Sequence, residues 1–297
     1  MEYSNYFIAI VISTFLCSCF SAKGLPIKEV KGETIIQTET KEDIETEIED
    51  STESIEGKTE GAVELGVEIQ DDVQTDYVTI NPLLDHSTWD ALLKKHVADN
   101  GDVAYKGFKN DIQKLNKYVT YLASQIPTES WSINEQLAYF INVYNANTIK
   151  LIADNYPTKS IKDINNPWMK NRLKIGDKDY SLADIENGIL RKMNEPRIHF
   201  AINCASFSCP KLLNTAYTAN NVQDLMERAT LEFINNVNKN KLTTNAPKIS
   251  EIFKWYKSDF TENGSVIDYI NRYATTKTSA DTKVQYIDYN WNLNEQN

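Results

Sequence analysis

Proline and glycine are scarce in this 297-residue chain, eight and ten residues respectively. That scarcity excludes collagen-like and Pro/Gly-rich low-complexity architectures. Excess positive charge is also missing: the formal net charge is −11, with no clustered basic footprint of the kind nucleic-acid binding requires. No unit repeats at a fixed period, which excludes solenoids and propellers. Histidine and cysteine are rarer still, three and four residues, so few groups are available for nucleophilic or metal chemistry. Long apolar runs are absent except at residues 7–16 (Phe-Ile-Ala-Ile-Val-Ile-Ser-Thr-Phe-Leu), which is too short for a comfortable membrane span.

That run has the length and position of the hydrophobic region of an export signal. Leu16-Cys17-Ser18-Cys19 follows it at once, and a Leu three residues before a Cys with a small residue between resembles a bacterial lipoprotein signal. The resemblance implies lipidation of Cys19 as the first mature residue, with Cys17 as the second register, and a signal peptide over residues 1–18. The start, Met-Glu-Tyr-Ser-Asn-Tyr, departs from the pattern by lacking Lys or Arg. An uncleaved anchor or an ordinary secretory peptide is the alternative. Either way the expectation is an exported chain, held on a bacterial membrane by its lipid and facing the periplasm or the exterior.

Charge is distributed unevenly. Residues 29–76 hold seventeen acidic residues against three lysines, a local charge of −14, whereas 77–297 is nearly neutral with 24 acidic and 26 basic residues. Residues 25–76 contain no Phe, Trp or Tyr. Such a segment cannot bury enough apolar surface to offset the entropy of ordering, and its like charges repel. Residues 19–76 therefore read as an acidic, extended tether between a membrane and a folded domain at 77–297. An acidic tail that binds cations or partners is the rival reading.

Within the body, apolar residues at helical spacing predict helices over 82–97, 108–125, 132–155, 181–192, 220–238 and 265–273. Ser132 lies three residues before Glu135, the pattern of a capping box, and the apolar face of 132–155 is broad enough for a buried central helix. Residues 172–180 predict a hairpin turning at Gly176-Asp177, and 198–204 predicts a buried strand. Residues 248–256 read as strand or loop. Many helices with few short strands give an α+β fold, a buried central helix packed on a small, mainly antiparallel sheet.

His86 and His96 fall in a polar helical region and read as surface residues. His199 lies inside the apolar run and needs a partner, since an unsatisfied buried polar group costs about 1–3 kcal/mol. Cys204 and Cys209 follow closely. In an exported protein they suit a disulfide loop, while a thiolate beside an imidazole is the minimal pair for covalent catalysis. Zinc on His199, Cys204 and Cys209 is a third possibility, but the spacing fits no standard metal motif, and no cofactor is implied. Glu135, Asn142 and Asn145 fall near one helical face, where buried polar groups must be paired.

Four ordered blocks carry a further resemblance: residues 134–146 (Asn-Glu-Gln-Leu-Ala-Tyr-Phe-Ile-Asn-Val-Tyr-Asn-Ala), 196–204 (Pro-Arg-Ile-His-Phe-Ala-Ile-Asn-Cys), Ser208-Cys209-Pro210, and 253–260 (Phe-Lys-Trp-Tyr-Lys-Ser-Asp-Phe). Together they resemble the domain-of-unknown-function 547 family over roughly residues 125–275. The Glu, His and Cys motif positions invite comparison with papain-like or transglutaminase-like cysteine enzymes, in a different chain order; that comparison is a fold-level analogy. The expectation is a cysteine-dependent hydrolase or acyl-transferase acting on an amide or ester of an unidentified peptide or small molecule. In it, Cys204 or Cys209 attacks, His199 is general base and then acid, and Glu135 orients the imidazole. Asn203 or a backbone N–H near Ser208 stabilises the oxyanion. The rival expectation is a non-catalytic binding module in which Cys204–Cys209 is a disulfide and the Glu, Asn and His residues form a buried polar network.

Overall fold

The computed structural model describes residues 23–30 and 84–296. The apolar run 7–16, Cys17, Cys19 and the acidic segment from 31 to 76 lie outside the described residues.

The body is α+β. Three helices come first: α1 (Ser87–His96), α2 (Tyr105–Asn110) and α3 (Ile112–Ser124). The region read as one helix over 108–125 is thus two helices, with Asp111 at the junction between them. Asp111 also takes His96 Nε2 at 2.8 Å and the ammonium of Lys95. His96 is buried, because Gly107 leaves room for its ring against α2; a Cβ there would collide with the imidazole. His86 is buried as well, with Nδ1 2.7 Å from the Tyr118 hydroxyl. Neither histidine lies on the surface as its polar sequence neighbourhood suggested, since aromatic partners from α2 and α3 cover both.

Helix α4 (Ile133–Asn155) is the axis of the fold. It starts at the expected capping box: Ser132 Oγ accepts from Glu135 N–H at 3.1 Å, and Glu135 Oε2 accepts from Ser132 N–H at 2.7 Å. From Gln136 to Ala153 almost every side chain is buried, so the helix is enclosed all round rather than along one stripe. Helices α2 and α3 pack against it. The hairpin β1 (Leu173–Ile175) and β2 (Lys178–Tyr180) is antiparallel, and Gly176 turns it at φ 60°. The helical segment at 181–192 is an irregular one, a π-helical stretch Asp184–Ile189 followed by a 3-10 turn Leu190–Met193.

Residues 198–204 are not the predicted strand. Ile198–Ala201 forms one helical turn, α5, and the chain becomes extended only at Ile202. Short helical and extended buried runs share the same apolar composition, so the pattern could not separate them. Then follow α6 (Val222–Asn235), β3 (Lys248–Ser250), α7 (Ile252–Trp255), α8 (Lys257–Phe260), α9 (Val266–Tyr273) and β4 (Gln285–Ile287), which pairs in parallel with β3. Phe200, Phe233, Phe253, Phe260 and Tyr269 form a second core between α5, α6 and α9.

Two outlying segments complete the body. The C-terminal residues return across it: Val103 N–H donates to Asn294 O at 2.8 Å and Phe207 N–H to Asn292 O at 2.7 Å. At the other end, residues 23–30 lie against the α4-centred core through Leu25, Ile27 and Val30. Val30 N–H donates to Met193 O at 2.7 Å, Lys28 N–H to Gln136 Oε1 at 3.0 Å, and Lys23 Nζ reaches Asp184 Oδ2 at 2.9 Å. The start of the expected tether is therefore docked on the body. Leu25, Ile27 and Val30 supply the apolar contacts. No helix among the described residues is long and apolar enough to cross a membrane.

Candidate functional site

A cleft of about 280 Å³ opens where the π-helical stretch, α5, the 202–210 loop, α7 and the C-terminal segment meet. His199, Cys204, Cys209 and Glu186 line it, with Trp168, Trp255, Tyr256, Tyr289 and Trp291 as walls.

His199 is held from two sides. Its Nε2 lies 2.8 Å from Asp259 Oδ2, and its ring stacks on Tyr256 with centroids 4.1 Å apart. Asp259 is itself fixed by Arg191, whose Nε and Nη2 reach the two carboxylate oxygens at 2.6 and 2.7 Å. Burial alone would push the Asp259 carboxyl up, but hydrogen bonds from Arg191, His199 and Ser258 outweigh it and hold the group well below the usual carboxylate range. Asp259 lies in the block 253–260 of the sequence, yet nothing in the spacing of sixty residues ties it to His199. The available signal was that a buried imidazole needs a partner.

Glu135 does not orient the imidazole. It is occupied at the α4 capping box and lines a separate small depression beside His86. The carboxylate that does enter the cleft is Glu186, buried on the π-helical stretch. Its Oε2 accepts from Tyr144 OH at 3.1 Å and its Oε1 from Tyr256 OH. Burial, and then the nearby carboxylate, push both phenols above their ordinary range. Glu186 sits on the π-helical stretch, a register that sequence periodicity cannot reveal.

Cys204 and Cys209 are joined as a disulfide with Cα atoms 6.3 Å apart. Cys204 N–H donates to Cys209 Sγ at 3.0 Å, and Tyr289 OH and Ser206 Oγ lie 3.2–3.3 Å from both sulfurs. Ala205, between them, sits in the left-handed region at φ 61°, a conformation costly for a residue with a Cβ. Asn203 supports it by accepting from Ala205 N–H at 2.8 Å while donating to Pro210 O at 2.7 Å, so its amide is committed to the loop and faces no oxyanion.

Asn142 and Asn145 are likewise spent on backbone. Asn145 donates to Ala201 O at 3.0 Å and accepts from Asn203 N–H at 2.9 Å; Asn142 donates to Tyr217 O at 2.7 Å and accepts from Tyr217 N–H at 3.3 Å. They clamp to α4 the two chain segments that carry the cleft loop. Among the described residues no group of three or more His, Cys, Asp or Glu side chains is arranged to hold a metal ion.

This arrangement can do two things chemically. It can enclose a ligand between aromatic faces over a carboxylate, and it can move a proton at the free nitrogen of an imidazole whose other nitrogen is anchored to Asp259. Residues 128–234 match the family model described as a protein of unknown function, DUF547. The match includes α4, His199 and both cysteines, and ends before Asp259, Trp255 and the C-terminal aromatic wall. No curated protein and no solved structure matches the chain.

Proposed function

We propose that this chain is an exported, lipid-anchored protein whose body binds a small ligand in the aromatic cleft, with the Cys204–Cys209 disulfide as part of the cleft wall. The observation that carries the reading is where each reactive group is bound. The sulfurs are bonded to one another and surrounded by Ser206 and Tyr289, and the imidazole is anchored to Asp259. Export rests on the apolar run before Leu16-Cys17-Ser18-Cys19, and a disulfide suits an oxidising compartment.

A second reading is favoured by one observation: both cysteines and an Asp-anchored histidine line the same cleft. In the reduced protein, Cys204 or Cys209 would act as the nucleophile of a hydrolase or acyl-transferase on an amide or ester carbonyl. His199 would take the thiol proton and return it to the leaving group, and Asp259 would hold the role first given to Glu135.

Intact-mass measurement and iodoacetamide labelling of the full chain, purified in non-ionic detergent, separate the two. The binding reading expects a mass two hydrogens below the reduced value and no labelling of Cys204 or Cys209 before reduction. Ready alkylation of one of them with an apparent pKa well below about 8.5, lost in His199→Ala, would replace it with the hydrolase. The same spectrum reads the anchor: a mature chain beginning at a diacylated Cys19 is expected, and an unmodified N-terminus refutes it.

A further inference from the structure

Glu186 is buried to 6% exposure and faces a cleft, yet no Lys, Arg or His lies within ion-pair distance of it among the described residues. Its hydrogen-bond partners among the described residues are two phenol hydroxyls, one on each oxygen. A buried carboxylate is ordinarily matched by a cation, because hydroxyl donors replace only part of its lost hydration. The nearest guanidinium, Arg191, is committed in bidentate fashion to Asp259 and lies over the Tyr256 ring at 5.3 Å. Among the described residues no Lys or Arg lines the cleft.

The walls add a second, independent preference. Trp255, Tyr289 and Trp291 pack together with centroids 4.5–5.8 Å apart, and Trp168 meets Trp291 edge-on at 5.6 Å. With Tyr256 they present aromatic surface around the carboxylate. The faces of such rings carry negative quadrupole density and attract cations, most strongly for tryptophan. Trp291 already does so once within the fold, with Lys162 Nζ 5.2 Å from its centroid. An anion would meet a carboxylate and ring faces with no Lys or Arg among the described lining residues.

We propose that the cleft recognises an organic ammonium group, primary or quaternary, seated against Glu186 and enclosed by Trp168, Trp255, Tyr256, Tyr289 and Trp291. This rests on the ligand-binding reading and names the chemistry of its ligand. The carboxylate supplies the charge partner and the rings replace the water an alkylammonium loses on entry. A free amine, a lysyl side chain and a trimethylammonium headgroup all present this chemistry.

The test is calorimetric titration of the full chain in non-ionic detergent with choline, n-butylammonium, and the neutral isostere of choline in which carbon replaces the quaternary nitrogen. Choline or n-butylammonium is expected to bind about tenfold or more tightly than the isostere, and their ratio tells a trimethylammonium ligand from a primary amine. Glu186→Gln, which keeps the side-chain shape and one acceptor for a tyrosine hydroxyl, is expected to cut the preference for charge several-fold, leaving only the part that the ring faces supply. Trp255→Ala, at the exposed rim, is expected to weaken the ammonium probes several-fold without unfolding the body. Equal binding of charged and neutral probes, or an undiminished preference in Glu186→Gln, overturns the inference and leaves the cleft a binding site of another chemistry. Absence of ammonium binding overturns it as well. The broader ligand-binding reading fails on a different observation, free and reactive cysteine thiols.

Discussion

Two buried polar networks lie within one loop of each other and are built on opposite rules. Along α4, Asn142 and Asn145 each satisfy a backbone carbonyl and a backbone N–H. Across the 202–210 loop, Glu186 and His199 are anchored on one side and face open cleft on the other. The first network is complete without a ligand; the second keeps unused acceptor and proton-transfer capacity. A saturated amide clamp defines structure, whereas a carboxylate and an imidazole fixed at one end define a site.

The clamp should therefore be costly to break. Asn145→Ala leaves Ala201 O and Asn203 N–H buried without partners, each at about 1–3 kcal/mol, so a loss of about 4 kcal/mol is expected in urea unfolding. A loss below about 1 kcal/mol would mean that water takes the place of the amide and that the clamp is not what seats the cleft loop.

The next largest effect concerns pH. Burial pushes the His86 imidazole down to about 4, against a small opposing effect of Asp85. The folded state then binds fewer protons than the unfolded chain between pH 6.5 and 4, so stability is full above the unfolded value and falls as pH drops through that window. The expected loss is on the order of 3 kcal/mol, and it should vanish from the pH–stability profile of His86→Gln. An unchanged profile in the variant would transfer the acid sensitivity to another group.

The same contrast marks what was legible in the sequence. The capping box at Ser132 and Glu135, the buried run of α4 and the hairpin at Gly176-Asp177 were readable because each is set by residues a few positions apart. His199 and the two cysteines were readable as chemistry because few residue types perform it. The partners were not. Asp259, Glu186 and the Tyr289 and Trp291 wall come from distant segments, and the π-helical register at Asp184–Ile189 breaks the period that would have placed Glu186. The resemblance implies Glu135 as the imidazole's partner, whereas local spacing implies the capping box, and the capping box is where it is held. Its capping role predicts a loss of about 1 kcal/mol for Glu135→Ala, with cleft chemistry and ligand binding unchanged.

The sharpest form of the comparison is the smallest effect. Glu186→Gln preserves the side-chain shape and an acceptor for a tyrosine hydroxyl, and it removes a buried carboxyl that makes no ion pair among the described residues. If Glu186 belonged to the structural network, its replacement would cost as much as Asn145→Ala. If it is kept for a ligand, the apo protein gains from its loss or stays within about 0.5 kcal/mol, because sites built for function are commonly not at their stability optimum. Thermal unfolding of Glu186→Gln beside Asn145→Ala makes the distinction directly. A raised or unchanged Tm for the first and a lowered one for the second assigns Glu186 to the cleft, whereas matched losses would return it to the core.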